Sequence, residues 1–227
     1  LLGVCFLAIT SCQNEIDYEV NEKDFICITA GVETDNDTRS ALDKIEVGYT
    51  SKNIWVEGDA LKIFFGEESN RASDFNLIKG SGTTIGTFSG ISYITGGGES
   101  AESEYTFTNV AYHPADKISK VTLDKKNKEY TAYVTLPNIY TGTPGTYTNG
   151  TYPMISVARV PNTTSFAFKN ILGMLALKIR GNRELKKIEL ISNSNALAGA
   201  FLVSSSSTSN PVIKHNDTGE RYNTLTI

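Results

Sequence analysis

The chain has 227 residues and a net charge of −4 at pH 7, from 21 Lys and Arg against 25 Asp and Glu. This balance argues against an electrostatic nucleic-acid binder, which usually carries a basic patch, and we expect no nucleic-acid partner. The chain is rich in Tyr, Thr, Ser, Gly and Asn and lacks long runs of Ala, Leu, Glu and Lys. Such a composition is typical of strands and turns.

Residues 1–12 are predicted to be a lipoprotein signal peptide. Residues 1–10 are uncharged, too few for a permanent membrane helix, which needs roughly 20 apolar residues, and typical of the apolar core of a secretory signal. Because no initiator Met or basic residue precedes them, we interpret the signal as truncated at its start. Ile9-Thr10-Ser11-Cys12 resembles a bacterial lipobox. The prediction is lipidation of Cys12; the alternatives are a plain signal peptide or a buried first strand.

Residues 13–23 are interpreted as a tether. The sequence Gln13-Asn14-Glu15 with Asp17 directly after Cys12 resembles the surface-export signals of Bacteroidetes lipoproteins, although an ordinary solvated tether would look the same. Cys5 would leave with the signal, so Cys27 would be the one free thiol of the mature chain and no internal disulfide could form. With two His far apart, a zinc cluster is not available, and we expect neither a metal nor a cofactor.

Short apolar runs separated by turn residues fill 24–160. In the run from Phe25 to Ala30, Ile26, Ile28 and Ala30 alternate onto one face, which indicates a half-buried strand. Residues 55–65 are interpreted as strand, Gly-Asp turn and strand. Further strands are predicted over 75–78, 87–93, 105–112, 121–123, 129–136 and 152–160.

Residues 161–164 are interpreted as a linker, followed by the strongest apolar stretch, 166–179. Asn170 and Gly173, and the alternation of Leu175, Leu177 and Ile179, favour two buried strands or one long bent strand over a helix. Strands are also predicted over 185–191, 197–203, 211–215 and 222–227, and we interpret the last as cut off by a truncated C-terminus. Many short strands with turn signals between them predict an all-β protein built as a β-sandwich.

No motif in the sequence indicates catalysis. Gly80–Gly86 lacks the Lys of a phosphate-binding loop and is interpreted as a hairpin loop. His113, before Pro114, and His215 are interpreted as surface turn residues rather than as members of a triad. The aromatic residues Trp55, Tyr130, Tyr133 and Tyr152 could stack on sugars, but core packing or cross-strand pairing is favoured. We therefore expect a protein that is not an enzyme.

Several segments, in this order and spacing, resemble the fimbrillin family of Bacteroidetes lipoproteins, a type V pilin-like group. They are TRSALD (38–43), WVEGDALKIF (55–64), LP (136–137), Tyr147, YPM (152–154), FKN (168–170), GMLALKI (173–179), KIEL (187–190) and LAG (197–199). The resemblance implies two β-sandwich domains of transthyretin-like topology. The first would cover 24–160, and 165–227 would begin an incomplete second domain.

The resemblance also implies a role as a structural subunit, stalk, tip or anchor, of a surface fimbria. In this family a protease cuts after an Arg, the first strand is lost, and a strand from another subunit replaces it by β-augmentation. Here the matching cut site is Arg39, the first Arg of the chain, in a polar loop that a protease could reach. An ordinary solvated Arg is the alternative, because anchor-type relatives keep this strand. The matching removable strand contains Phe25, Ile26, Ile28, Ala30 and Val32.

The implied partners are other fimbrial subunits, in a homo- or heteropolymer, and the outer membrane through lipid on Cys12. The implied location is the cell surface, as an outer membrane lipoprotein or within a fimbrium, where a host or bacterial surface ligand is a further partner that the resemblance allows. The alternative function is a monomeric surface-exposed lipoprotein that binds a glycan or a host ligand.

Overall fold

The structure is a computed structural model that describes residues 25–32, 53–65, 72–92, 109–124, 126–141, 151–158, 163–173, 177 and 179–227. Within these ranges the chain is nearly all β, with one short 3-10 turn at Ala115–Lys117, which confirms the all-β part of the predicted fold class. None of the helical residues in these ranges forms a helix long and apolar enough to cross a membrane. The predicted signal peptide and tether lie outside the described residues.

The strands, numbered in chain order, are short and separated by turns. They are β1 (Phe25–Val32), β2 (Ala60–Phe64), β3 (Ala72–Lys79), β4 (Ile85–Ile91), β5 (Val110–His113), β6 (Ile118–Asp124), β7 (Glu129–Leu136), β8 (Met154–Val157), β9 (Ser165–Asn170), β10 (Glu189–Ile191), β11 (Ala198–Ser205), β12 (Val212–His215), β13 (Arg221–Tyr222) and β14 (Thr224–Thr226).

Seven of these strands close into a barrel in the order β1-β4-β3-β2-β5-β8-β9. Neighbours in the barrel are antiparallel, except that β1 and β9, which close it, are parallel. A second sheet has the order β12-β11-β7-β6, with β13 paired to β11, and β10 pairs with β14. The predicted pair of transthyretin-like sandwiches is a finer statement than this and stays a prediction.

The core has two parts that share the barrel wall made by β2, β5 and β8. Alternate residues of this wall, such as Ala111 and Met154, point into the barrel. The residues between them, such as Tyr112 and Ile155, pack against the second sheet. Because β5 is covered on both faces, all four of its residues are buried, as expected for a strand between two layers.

Most predicted strands are confirmed, with shifted ends. In β7, Tyr130, Ala132, Val134 and Leu136 are buried as the alternation predicts, and the strand ends before Pro137. Three differences stand out. Residues 54–56 have no strand, residues 185–188 have none before β10, and Leu177 and Ile179 are exposed and outside any strand. Leu175 is outside the described residues.

Strand pairing crosses the linker predicted at 161–164. Strand β9, which follows it, pairs with β8 and β1, which precede it. Strand β11 likewise pairs with β7 over seven residues. The division of the chain into domains at 24–160 and 165–227 stays a prediction.

Candidate functional site: the slot that holds the first strand

The candidate site is the space between β4 and β9 that β1 occupies, which we call the β1 slot. Residues Phe25 to Gly31 pair antiparallel with β4, and Thr29 to Val32 pair in parallel with β9. The Thr29 N–H also donates to the Thr164 carbonyl over 2.7 Å. Without β1, one edge of β4 and one of β9 would present unpaired backbone groups, which invite pairing with another chain.

Alternate residues of β1 fill the interior of the barrel. Ile28 and Ala30 are fully buried, whereas Ile26 and Val32 are half-buried and pack against the same core cluster. Phe25, the other apolar residue of the predicted removable strand, is 55% exposed and points outward. Burial of a side chain such as Ile28 contributes roughly 1.5–3 kcal/mol, so β1 contributes substantially to the core.

Trp55 forms the floor of the slot beneath Ala30. Its indole Nε1 donates to the Ala30 carbonyl over 3.0 Å, and its side chain is fully buried. Three rings meet it edge to face: Phe88 at 5.0 Å between centroids, His113 at 5.4 Å and Phe168 at 5.7 Å. This is the preferred geometry for aromatic pairs, and it holds the indole in one place.

The turn that follows Trp55 sets its position. The Asp59 Oδ2 accepts from the Val56 N–H over 2.9 Å, and the Asp59 N–H donates to the Val56 carbonyl over 3.1 Å. Gly58 has φ +89°, a conformation that glycine adopts without steric cost, and the predicted Gly-Asp turn is confirmed. The loop that joins β3 to β4 holds the Trp55 backbone, since Trp55 N–H donates to Thr83 and the Trp55 carbonyl accepts from Gly82.

Glycine in β4 makes room for this arrangement. Gly86 lies opposite Ala30, and a Cβ at Gly86 would lie 2.8 Å from Leu77 and from Phe88 and 2.9 Å from Trp55. Such distances are too short for carbon atoms that are not bonded to each other, so a residue larger than Gly at position 86 would displace the indole or its neighbours.

Behind Trp55 lies a buried pair of titratable residues, Asp59 and His113, which are 4% and 1% exposed. The His113 Nδ1 is 3.2 Å from the Ala60 carbonyl, so Nδ1 carries the proton and donates. The His113 Nε2 lies 3.9 Å from the Asp59 Oδ1 and has no hydrogen-bond partner among the described atoms.

Burial disfavours the charged form of both members of this pair. It raises the pKa of Asp59 to about 6, against the Val56 N–H, which lowers it. It lowers the pKa of His113 to about 4, against the Ala60 carbonyl and the Asp116 carboxylate, which raise it. Between pH 4 and 6 the pair is therefore neutral, with Asp59 protonated.

The interpretation of His113 as a surface turn residue is wrong. It ends β5, which lies between β2 and β8 and is covered on both faces, and this coverage is a tertiary property that Pro114 after it does not reveal. The turn signal at Gly58-Asp59 was visible, but nothing in the sequence connects Asp59 with His113. His215 is at the end of β12, with its side chain 18% exposed.

Three of the four aromatic residues considered for sugar stacking lie in the core. Trp55, Tyr130 and Tyr152 are core residues, as favoured, whereas Tyr133 is on the outer face of β7, with the Lys120 Nζ 4.3 Å from its ring centroid. Gly80 begins the hairpin loop between β3 and β4, as predicted. Within the described ranges, no three His, Cys, Asp or Glu residues lie close enough to hold a metal ion.

The predicted lipidation and cleavage residues, Cys12 and Arg39, lie outside the described residues and stay predictions. Among the described residues, the β1 slot is bordered by β4, β9 and Trp55, and β1 occupies it. Comparison of the chain with protein-family models, with curated proteins and with solved structures finds no match.

Proposed function

We propose that the chain is a structural subunit of a bacterial surface fimbria, a stalk, tip or anchor, assembled by donor-strand exchange. Cleavage after Arg39 would release β1, and a strand from another subunit would replace it in the β1 slot. Lipid on Cys12 would hold the uncut chain at the outer membrane. The proposal includes the finer fold, two β-sandwich domains of transthyretin-like topology.

One observation carries the proposal, the position of β1. It is the first described strand, and it is inserted between β4 and β9 instead of lying at a free edge. Its loss would uncover Trp55, Phe88 and Phe168 in the barrel interior. An incoming strand would restore the backbone pairs and bury this surface again, which is the physical basis of β-augmentation.

The first experiment uses full-length protein in its own cells. Surface material is sheared off and run unboiled and boiled on a denaturing gel, and the N-terminus of each band is mapped by mass spectrometry. We expect a heat-sensitive ladder whose bands begin at Ser40. A single monomer band that still carries lipid on Cys12 would exclude the stalk role and would leave an anchor or a monomeric binding lipoprotein.

A cross-link tests whether β1 itself must leave. Cys27 is a free thiol on the exposed face of β1, and Ser89 lies directly opposite it on β4. The variant Ser89→Cys would place two thiols at a distance that a cross-strand disulfide can span. We expect the ladder to disappear in this variant and to return when a reductant is added.

The matched control is Thr87→Cys. Thr87 lies opposite Thr29, two residues from the partner of Cys27, too far for a bond to Cys27 without backbone movement. This variant should polymerise with and without reductant. Polymerisation of oxidised Ser89→Cys, with its disulfide verified by mass spectrometry, would contradict exchange of β1.

A further inference from the structure

We infer that Trp55 selects the strand that occupies the β1 slot, by admitting only a small residue at the position of Ala30. This inference rests on the proposed function, because it specifies the partner that exchange would bring in. The partner is an extended segment of another subunit with large aliphatic residues at the positions of Ile26 and Ile28, followed by Ala or Gly at that of Ala30.

The space at this position is closed on every side. Ala30 is fully buried, Trp55 is bonded to its carbonyl, and Gly86 lies opposite it on β4. A Cβ on Gly86 would itself lie 2.9 Å from Trp55 Cδ1, so the indole already fills the room that β4 leaves. A side chain larger than Ala would have to displace the indole, which Phe88 and Phe168 hold from two sides.

Larger side chains fit elsewhere on the same face of β1. Ile28 is opposite Phe88, and Ile26 is opposite Gly90; both Ile side chains pack on the barrel core. The inward residues of β1 are therefore large at positions 26 and 28, small at position 30 and of medium size at position 32. Only the third position lies against the indole N–H.

This size order also defines the register of the incoming strand. A shift by one residue would turn the apolar face outward. A shift by two would still offer a backbone carbonyl to the Trp55 N–H, because the carbonyls on one edge of a strand repeat every two residues. It would, however, bring Ile28 or Val32 onto the indole. Side-chain size, rather than the hydrogen bond, therefore excludes the shifted registers.

The test uses the full chain with a specific protease site placed within residues 33–38, a polar segment of the sequence. After the cut, the β1 piece is no longer tethered and can exchange. Fluorescent peptides of residues 24–33 are added in excess, as the native sequence, as Ala30→Leu and as Thr29→Leu. Thr29 points outward, so its variant adds the same side chain without entering the slot. Incorporation is followed by native mass spectrometry and anisotropy.

We expect the Thr29→Leu peptide to match the native peptide and the Ala30→Leu peptide to bind about tenfold more weakly or worse, from overpacking. In a chain with Trp55→Phe, which is smaller, the defect of the Ala30→Leu peptide should shrink. If that chain does not fold, the comparison in the unsubstituted chain decides.

Equal incorporation of all three peptides would overturn the selection by Trp55 and leave donor-strand exchange standing. Incorporation of none, by a cut chain whose circular dichroism is unchanged, would overturn the exchange and the selection together. The two failures are therefore distinguishable.

Discussion

At the scale of single residues, Asp59 and His113 form a buried pair that binds the same number of protons in the folded and in the unfolded chain. In the folded chain between pH 4 and 6, Asp59 holds one proton and His113 Nε2 holds none. In the unfolded chain at the same pH, the Asp is ionised and the His is protonated. Each state therefore binds one proton on the pair, and the pair alone makes stability nearly independent of pH in this range.

Replacing one member of the pair should make the unfolding free energy depend on pH through the titration of the other. In Asp59→Asn only His113 remains, with a folded pKa of about 4 below its unfolded value. Its stabilising contribution is present above the unfolded pKa and is lost as the pH falls through 4. Relative to the unsubstituted chain, unfolding free energy should drop by about 1.4 kcal/mol for each pH unit between 6 and 4.

His113→Gln should show the opposite slope. Asp59 then remains, with a folded pKa of about 6 above its unfolded value. Its contribution is present below the unfolded pKa and is lost as the pH rises through 6. Urea titrations of the three chains from pH 4 to 7 measure both slopes, and two variants with the profile of the parent would show that the pair is not buried as described.

Trp55 holds β1 through a hydrogen bond to the Ala30 carbonyl. Trp55→Phe removes the donor to the Ala30 carbonyl and leaves a void in the barrel, so we expect a loss of about 2–4 kcal/mol in unfolding free energy. Hydrogen exchange should also accelerate in the amides of β1. Tyr133→Phe on the outer face of β7 is the control, with a change within about 0.5 kcal/mol. Unchanged exchange in β1 would contradict the role of the indole.

At the scale of elements, glycine in β4 allows β3 and β4 to pack closely. A Cβ on Gly90 would lie 2.5 Å from the Asp74 carbonyl oxygen and 2.7 Å from Phe75 Cγ. Backbone cannot move aside as a side-chain tip can. We therefore expect Gly90→Ala to destabilise the chain by about 1–3 kcal/mol.

Gly181→Ala is the matched control, because nothing lies within 4 Å of its added Cβ. Its unfolding free energy should stay within about 0.5 kcal/mol of the parent. Thermal unfolding of the two variants makes the comparison. Equal melting temperatures would mean that β3 and β4 are not as close at Gly90 as described.

For strands with one buried face, both the strand and its inward residues were predictable, whereas for strands covered on both faces only the strand was. Alternation identified β1 and β7 and their inward residues, because a strand with one solvated face must alternate. It misjudged the end of β5, since Val110–His113 is buried throughout. It also predicted a strand through Leu177 and Ile179, which are exposed, because propensity does not reveal whether a pairing partner exists.

At the scale of the whole molecule, the barrel and the second sheet share a core. Val203 of β11 is fully buried in the cluster that includes Tyr112 and Ile155 of the barrel wall. Trp55, the one Trp of the chain, reports on the barrel interior. Unfolding of the second sheet would thus uncover the barrel wall, and we expect one cooperative transition.

Val203→Ala tests this coupling from a distance. We expect the unfolding free energy to fall by about 1–3 kcal/mol. The urea midpoints measured by Trp55 fluorescence and by far-UV circular dichroism should shift equally. A fluorescence midpoint that does not move while an earlier dichroism transition appears would instead show that the second sheet unfolds separately from the barrel.

The all-β class, most strands, the inward face of β1 and the Gly-Asp turn can be predicted from the sequence, because they follow from local alternation and turn chemistry. The position of β1 between β4 and β9, the contact of Trp55 with Ala30 and the pairing of Asp59 with His113 become visible only in the folded chain. These contacts join residues that are 25 positions apart in the chain, for Ala30 and Trp55, to 136 positions apart, for Thr29 and Ser165. They arise from strand pairing around a closed barrel, which no local pattern encodes.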